Sequence, residues 1–240
     1  MMRKFQPERA YWLLIGGRAL CLSMIFTASV VYQISQVGLN PLQLVLVGTT
    51  LELSVLLFEV PTGVVADVYS RRLSILIGVA LIGIGFIVEG SFPVFGAVLA
   101  AQVLWGVGHT FTSGATQAWI VDEVGEAKAG QLFLRGSQVE NVCDLIGIGV
   151  GALVGSLAVN LPIVGGGLAM VMLAALLSLT MPEQHFTPKV KHGAGESVGA
   201  AVRALWENSA SPAEFLRTMA WMDDYADLLA ELERQGLASP

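Results

Sequence analysis

The sequence predicts an all-α membrane protein with six transmembrane helices, and two observations carry this prediction. The 240 residues are 54% hydrophobic and only 13% charged, whereas a soluble domain carries about 25% charged residues. The apolar residues are also gathered in six segments of roughly twenty residues, the length of helix that crosses the hydrocarbon core of a bilayer. So large an apolar surface needs lipid as its solvent, and we therefore expect a multi-pass membrane protein.

The six segments follow each other closely along the chain. We predict transmembrane helices over residues 11–31, 42–65, 73–88, 94–120, 139–161 and 163–181. The first segment follows a basic start and could be mistaken for a secretory signal. Its length argues against a secretory signal. A lipoprotein cleavage site would need a small residue just before the cysteine, but Leu20 precedes Cys21. We therefore expect it to be retained as the first helix.

The connections between the segments alternate in charge. Lys and Arg are absent from residues 33–41, 89–93 and 160–162. We place these three connections on one side of the membrane. On the other side lie the basic residues Arg3, Lys4, Arg9, Arg71, Arg72, Lys128, Arg135, Lys189 and Lys191. Because basic loops remain in the cytoplasm, we expect both termini to be cytoplasmic, in a protein of the plasma (inner) membrane.

The composition changes after the sixth segment. A polar, glycine-containing stretch is typical of a linker, and Ser211, Pro212 and Glu214 then give the start signal of a helix. Apolar residues recur at helical spacing beyond this start, on a helix whose polar face is acidic. We therefore predict a membrane bundle over 1–181, a cytoplasmic linker over 182–211 and a cytoplasmic amphipathic helix over 212–240.

Charge and cysteine content exclude other classes of protein. The formal net charge is -6, with acidic residues concentrated near the C-terminus, which disfavours nucleic-acid binding. Cys21 and Cys143 lie in apolar segments without the spacing of a metal or redox motif. We therefore expect no metal site and no cofactor.

The loop between the second and third segments carries a dense motif. Residues 63–75 read Gly-Val-Val-Ala-Asp-Val-Tyr-Ser-Arg-Arg-Leu-Ser-Ile. A glycine lets two helices approach closely, and Asp67 with two arginines one turn away can form a charged latch. A loop that only fixes topology would explain Arg71 and Arg72, but not Gly63 and Asp67 at these offsets.

This motif resembles the signature of the major facilitator superfamily (MFS), Gly-x-Leu-Ala-Asp-Arg-x-Gly-Arg-Lys-x-x-Leu. The matching positions are Gly63, Ala66, Asp67, Arg71 and Arg72, while Val68 and Ser70 depart from the usual Arg and Gly. The fourth segment is similar to a second family pattern, Leu-x-x-Arg-x-x-Gln-Gly-x-Gly, with Gln102 in place of the Arg. The fifth carries Gly147, Gly151 and Gly155, as in the glycine-rich motif of the family's antiporters. The resemblance implies the N-terminal six-helix half of a transporter that has two such halves.

The resemblance also implies a cytoplasmic gate. In the family an acidic residue at the end of the fourth helix pairs with the first Arg of the loop motif, and by position this residue is Asp122. We assign to the gate Gly63, Asp67, Arg71, Arg72 and Asp122. Two alternatives stay open for Asp122, namely a pair with Arg135 and a solvated acidic cluster at a helix end.

Ionisable and polar residues within the apolar segments form a second group. A charge at membrane depth costs at least about 2.5 kcal/mol, so each is a functional candidate. We assign to a substrate or proton pathway Arg18, Glu52, Glu59, Gln102, His109, Gln117, Glu140 and Asp144. The resemblance implies that five of them, Arg18, Glu52, Gln102, His109 and Asp144, converge in a central cavity. In the simpler interpretations Arg18 snorkels to the interface, Glu59 belongs to the latch and His109 only packs.

We expect a secondary transporter that exports small molecules or drugs by alternating access, of which this chain is the N-terminal half. Its expected partners are a small-molecule substrate, membrane lipid and a second six-helix half, supplied by another copy or a separate chain. The alternatives are a six-helix channel or a membrane assembly protein. An intramembrane enzyme would need Ser and His on different helices, but His109 shares its segment with Ser113, so we expect no enzyme.

Overall fold

The computed structural model describes residues 6–187. These residues form helices and no strand: α1 (Pro7–Ser35), α2 (Pro41–Val68), α3 (Arg71–Ser91), α4 (Phe95–Thr112), α5 (Ala115–Val124), α6 (Glu126–Gly155) and α7 (Leu161–Thr180). The predicted amphipathic helix over 212–240 and most of the predicted linker lie outside the described residues. The all-α class predicted from the sequence is confirmed.

Within the described residues, five helices are long and apolar enough to cross a membrane, namely α1, α2, α3, α6 and α7. The fourth predicted span is wrong as a single helix, because the chain breaks between α4 and α5. Gly114 adopts φ +65° at the break, a left-handed conformation that glycine tolerates and other residues avoid. The hydroxyl of Thr112 also turns back to the carbonyl of His109 at 2.9 Å.

Local signals fix several helix ends. Asn40 accepts a hydrogen bond from the Gln43 amide while the Gln43 side chain accepts one from the Asn40 amide, which is a capping box at the start of α2. The Ser70 hydroxyl likewise caps α3 by accepting from the Leu73 amide. α6 begins at Glu126, well before the predicted start at 139, because the helix continues through polar residues that the hydropathy pattern leaves out.

The helix contacts define a row in the order α6, α1, α7, α3, α4, α2. Helices α3 and α7 approach so closely that a Cβ on Gly83 would meet the Gly167 carbonyl oxygen at 2.7 Å. The fully buried side chains of this core include Ile75, Ile82, Phe86, Ile163, Met170 and Leu177. α2 and α6 stand at the two ends of the row and leave most of their surface exposed.

Helices α1 and α6 run side by side in the same direction. Lys128 pairs with Glu8 at one end, and glycines line the seam further along. A Cβ on Gly147 would meet the Leu20 carbonyl oxygen at 2.5 Å, and one on Gly151 would meet the Met24 carbonyl oxygen at 2.7 Å. The glycine repeat of α6 therefore permits close packing against α1.

Candidate functional site

Arg71 is the centre of the predicted gate. Its guanidinium donates to the Ala118 carbonyl at 2.9 Å and to the Asp122 carboxylate, and it lies 3.7 Å from the Asp67 carboxylate. The Arg71 side chain is only 11% exposed, so these contacts are poorly screened by solvent. One arginine at the start of α3 thus joins the end of α2 to α5. Asp122 meets Arg71 and not Arg135.

Residues 182–186, which we predicted to lie in the linker, pack against this predicted gate. The Glu183 carboxylate accepts hydrogen bonds from the Ser70 hydroxyl at 2.7 Å and the Arg72 amide at 2.9 Å. An acidic group is favourable at this position because the N-terminus of a helix carries partial positive charge. The buried Trp119 indole donates to the Pro182 carbonyl at 2.8 Å. Apart from an acidic residue two positions after the last apolar segment, little in the sequence points to this contact.

Two gate residues differ from the predicted latch. The Arg72 guanidinium turns to α7, where it donates to the Ser178 carbonyl. A Cβ on Gly63 would meet no atom within 4 Å, so the close helix approach predicted there is not made within the described residues. The reason is that this face of α2 is unpacked.

A cavity of about 340 Å³ opens between α1, α4, α5 and α6. Four of the predicted pathway residues line it: Arg18, His109, Gln117 and Glu140. Ser113 and Gly114 also line it, so the helix break that the hydropathy pattern missed forms part of the wall. A broken helix at membrane depth is tolerated where it borders such a cavity.

The cavity contains charges of both signs. Arg18 Nη2 lies 4.0 Å from Glu140 Oε1, and the two side chains are 24% and 41% exposed. At this distance and exposure the pair contributes little to stability, on the order of 0–1 kcal/mol. Both groups are therefore available to a bound molecule, beside the His109 imidazole and the Gln117 amide.

The other four pathway residues do not line this cavity, so the predicted convergence is only partial. Glu52 and Glu59 are exposed on α2, which packs on α4 and stands away from α1 and α6. Gln102 is buried at 3% exposure. Asp144 accepts a hydrogen bond from the Ser23 hydroxyl across the α1–α6 seam.

Sequence reasoning missed a buried carboxylate, Glu89, which it placed in a loop. Glu89 is fully buried in the last turn of α3, where Gln33 Nε2 donates to its Oε1 at 2.9 Å. The Tyr32 hydroxyl donates to the Glu89 carbonyl at 2.8 Å. The second carboxylate oxygen has no hydrogen-bond partner among the described residues. The only signal was the presence of Gln33 and Glu89 at the matching ends of two apolar segments.

Two comparisons with known proteins bear on the family of this chain. The sequence profile of the Major Facilitator Superfamily matches residues 4–226. The chain is also 27% identical over 125 residues to the "Uncharacterized MFS-type transporter YxaM" of Bacillus subtilis (strain 168). That match covers 51% of this chain and 30% of the relative's length.

The profile match extends over most of the chain, and the latch at Arg71 has the elements of the family signature. Helices long and apolar enough to cross a membrane account for most of the described residues. The chain is therefore a multi-pass membrane protein that belongs to the Major Facilitator Superfamily.

Proposed function

We propose that this chain is the N-terminal half of a secondary transporter that exports small amphipathic molecules by alternating access. The observation that carries the proposal is the cavity of about 340 Å³ at Arg18, His109, Gln117 and Glu140. Charges of both signs beside aromatic and aliphatic walls, such as Tyr11 and Ile15, suit a molecule with a polar group and an apolar body.

The gate at Arg71 closes the cavity on the side of the loop motif in this proposal. Arg71 ties α3 to α5 through Asp122, and α5 continues from the break that lines the cavity. Separation of this ion pair would free α5 to move relative to α3. In the proposed orientation the protein lies in the plasma membrane and both termini are cytoplasmic.

A second six-helix half completes the transporter in this proposal. α2 and α6 each have only 11% of an 18-residue apolar stretch buried, and Glu52 and Glu59 are exposed on α2. Charged groups on a lipid-facing surface are costly, so these helices are suited to pack against another half, from a second copy or another chain. We expect a monomer of this chain not to transport.

Binding of ethidium, an amphipathic fluorescent cation, to the purified 240-residue chain tests the cavity. Glu140→Gln removes the carboxylate that faces the cation, and we expect about tenfold weaker binding, in line with a lost charged hydrogen bond. Glu126→Gln is the matched control, because Glu126 is exposed on the same helix and does not line the cavity. Equal affinities for all three proteins, or no binding by the unaltered chain, would contradict the proposed site.

Flux measurements in proteoliposomes test the need for a second half. We expect no accumulation of ethidium against its gradient by a preparation shown to be monomeric. A full-length homologue in matched vesicles serves as the positive control. Uphill transport by the monomer would overturn this part of the proposal.

A further inference from the structure

A second cavity, a groove of about 420 Å³, lies along the seam between α1 and α6. It is lined by Trp12, Arg135, Gln138, Val139, Val142 and Cys143. Gly136 and Glu140 of α6 face the first cavity, and a helix places residues 138, 139 and 142 on a different face from these two. The groove is therefore separate from the proposed substrate site.

The groove is polar at one end and apolar at the other. Arg135 and Gln138 precede Val142 and Cys143 by one to two turns of α6. The apolar segment of the sequence begins at 139, so the polar end lies at the boundary of the hydrocarbon region. Trp12 forms the opposite wall at the start of the first apolar segment, and tryptophan is enriched at membrane interfaces.

Arg135 has no ion pair within residues 6–187, although Lys128, two turns earlier on the same helix, pairs with Glu8. Its side chain is exposed, and a guanidinium is the group best suited to bind a phosphate by two parallel hydrogen bonds. Basic pockets between transmembrane helices bind the head groups of anionic lipids. The groove thus has a phosphate-binding group, the Arg135 guanidinium, at one end and apolar side chains at the other.

We propose that this groove binds an anionic phospholipid, with the phosphate on Arg135 and an acyl chain along Val139, Val142 and Cys143. A lipid supplies both parts in the order in which the groove presents them, at the depth where lipid phosphates meet the acyl region. The proposal concerns a site apart from the transport cavity, so it stands whether or not the proposed export activity is correct.

Native mass spectrometry of the 240-residue chain tests this site by titration with phosphatidylglycerol and, separately, with phosphatidylcholine. We expect tighter binding of phosphatidylglycerol, and about tenfold weaker binding of it by Arg135→Gln, the loss typical of a charged hydrogen bond. Arg9→Gln is the matched control. Arg9 is exposed in the first turn of α1, at the same end of the bundle, but does not line the groove. We expect less than about twofold change there, since it removes only a diffuse surface attraction.

Val142→Phe tests the acyl chain independently, because it fills the apolar end without changing the charge. We expect it to weaken phosphatidylglycerol binding while Arg135 is intact, and glycerol phosphate alone to compete poorly. Equal losses for Arg135→Gln and Arg9→Gln would reduce the effect to general attraction and overturn the proposal. So would full binding by Val142→Phe, equal competition by glycerol phosphate, or a dimer that excludes lipid. Unchanged circular dichroism and elution volume verify that each variant is folded.

Discussion

Helices α2 and α3 are neighbours along the chain, but they make very different contacts. In an 18-residue apolar stretch of each, 56% of the α3 residues and 11% of the α2 residues are buried. A Cβ on Gly78 of α3 would meet the Gly108 carbonyl oxygen at 2.5 Å, whereas one on Gly48 of α2 would meet nothing within 4 Å. Both helices are apolar enough to cross a membrane. Hydropathy therefore identifies a span without indicating whether protein surrounds it.

The largest effect that separates the two helices is expected from glycine substitutions. Gly78→Ala would press a methyl group against the α4 backbone, which cannot move as a side chain can. We expect a loss of about 3 kcal/mol in the free energy of unfolding. Gly48→Ala is the control, and we expect it to be neutral or to stabilise α2 by up to about 1 kcal/mol. Unfolding in detergent measures both, and equal losses would mean that α2 is packed after all.

An intermediate effect is expected from changes that affect the carboxylates of the two helices, Glu89 of α3 and Glu52 of α2. Gln33→Leu would remove the amide that donates to the buried Glu89 carboxylate on α3. A buried acceptor left without its donor costs about 1–3 kcal/mol. Glu52→Gln changes an exposed glutamate on α2, and we expect a change below about 0.5 kcal/mol. A large loss for Glu52→Gln in the isolated chain would show that α2 has a partner that the contacts do not reveal.

The smallest effect is expected at the proposed gate, where the Arg71 guanidinium of α3 contacts the carboxylates of Asp67 and Asp122. Asp122→Asn should cost about 1 kcal/mol, because the Asp122 side chain is 26% exposed and in direct contact with the guanidinium. Asp67→Asn should cost less, since its side chain is 39% exposed and lies 3.7 Å away. Thermal unfolding of the two single variants and of the double variant measures both contributions. A larger loss for Asp67→Asn than for Asp122→Asn would mean that Arg71 holds α3 more strongly to α2 than to α5.

The sequence predicted those parts of the fold that depend on the length of apolar segments. Apolar runs between turn residues such as Pro41, Ser70 and Pro93 placed α1, α2, α3 and α7 close to their observed positions. The helix break at Gly114 was not predicted, because a lone glycine in an apolar segment also occurs in unbroken helices. The early start of α6 was missed because the apolar run marks only the part of a helix that lies in lipid.

The candidate site was predictable residue by residue but not as a constellation. Arg18, His109, Gln117 and Glu140 were found because polar groups within apolar segments are rare. Which of these residues meet in the cavity depends on which helices pack together. For the same reason Glu52 and Asp144 do not line it. A single sequence contains no direct record of helix order. The Gln33–Glu89 contact joins residues 56 positions apart and was hidden for the same reason.

The contact of Glu183 with the start of α3 bears on where the bundle can be cut. The last apolar segment ends at 181. A protein shortened there would lose the Glu183 carboxylate, which accepts hydrogen bonds from the Arg72 amide and the Ser70 hydroxyl. It would also lose the carbonyl of Pro182 that receives the Trp119 indole. For crystallisation or for exchange of halves between transporters, residues 182–186 should therefore stay with the bundle, because they close this end of it.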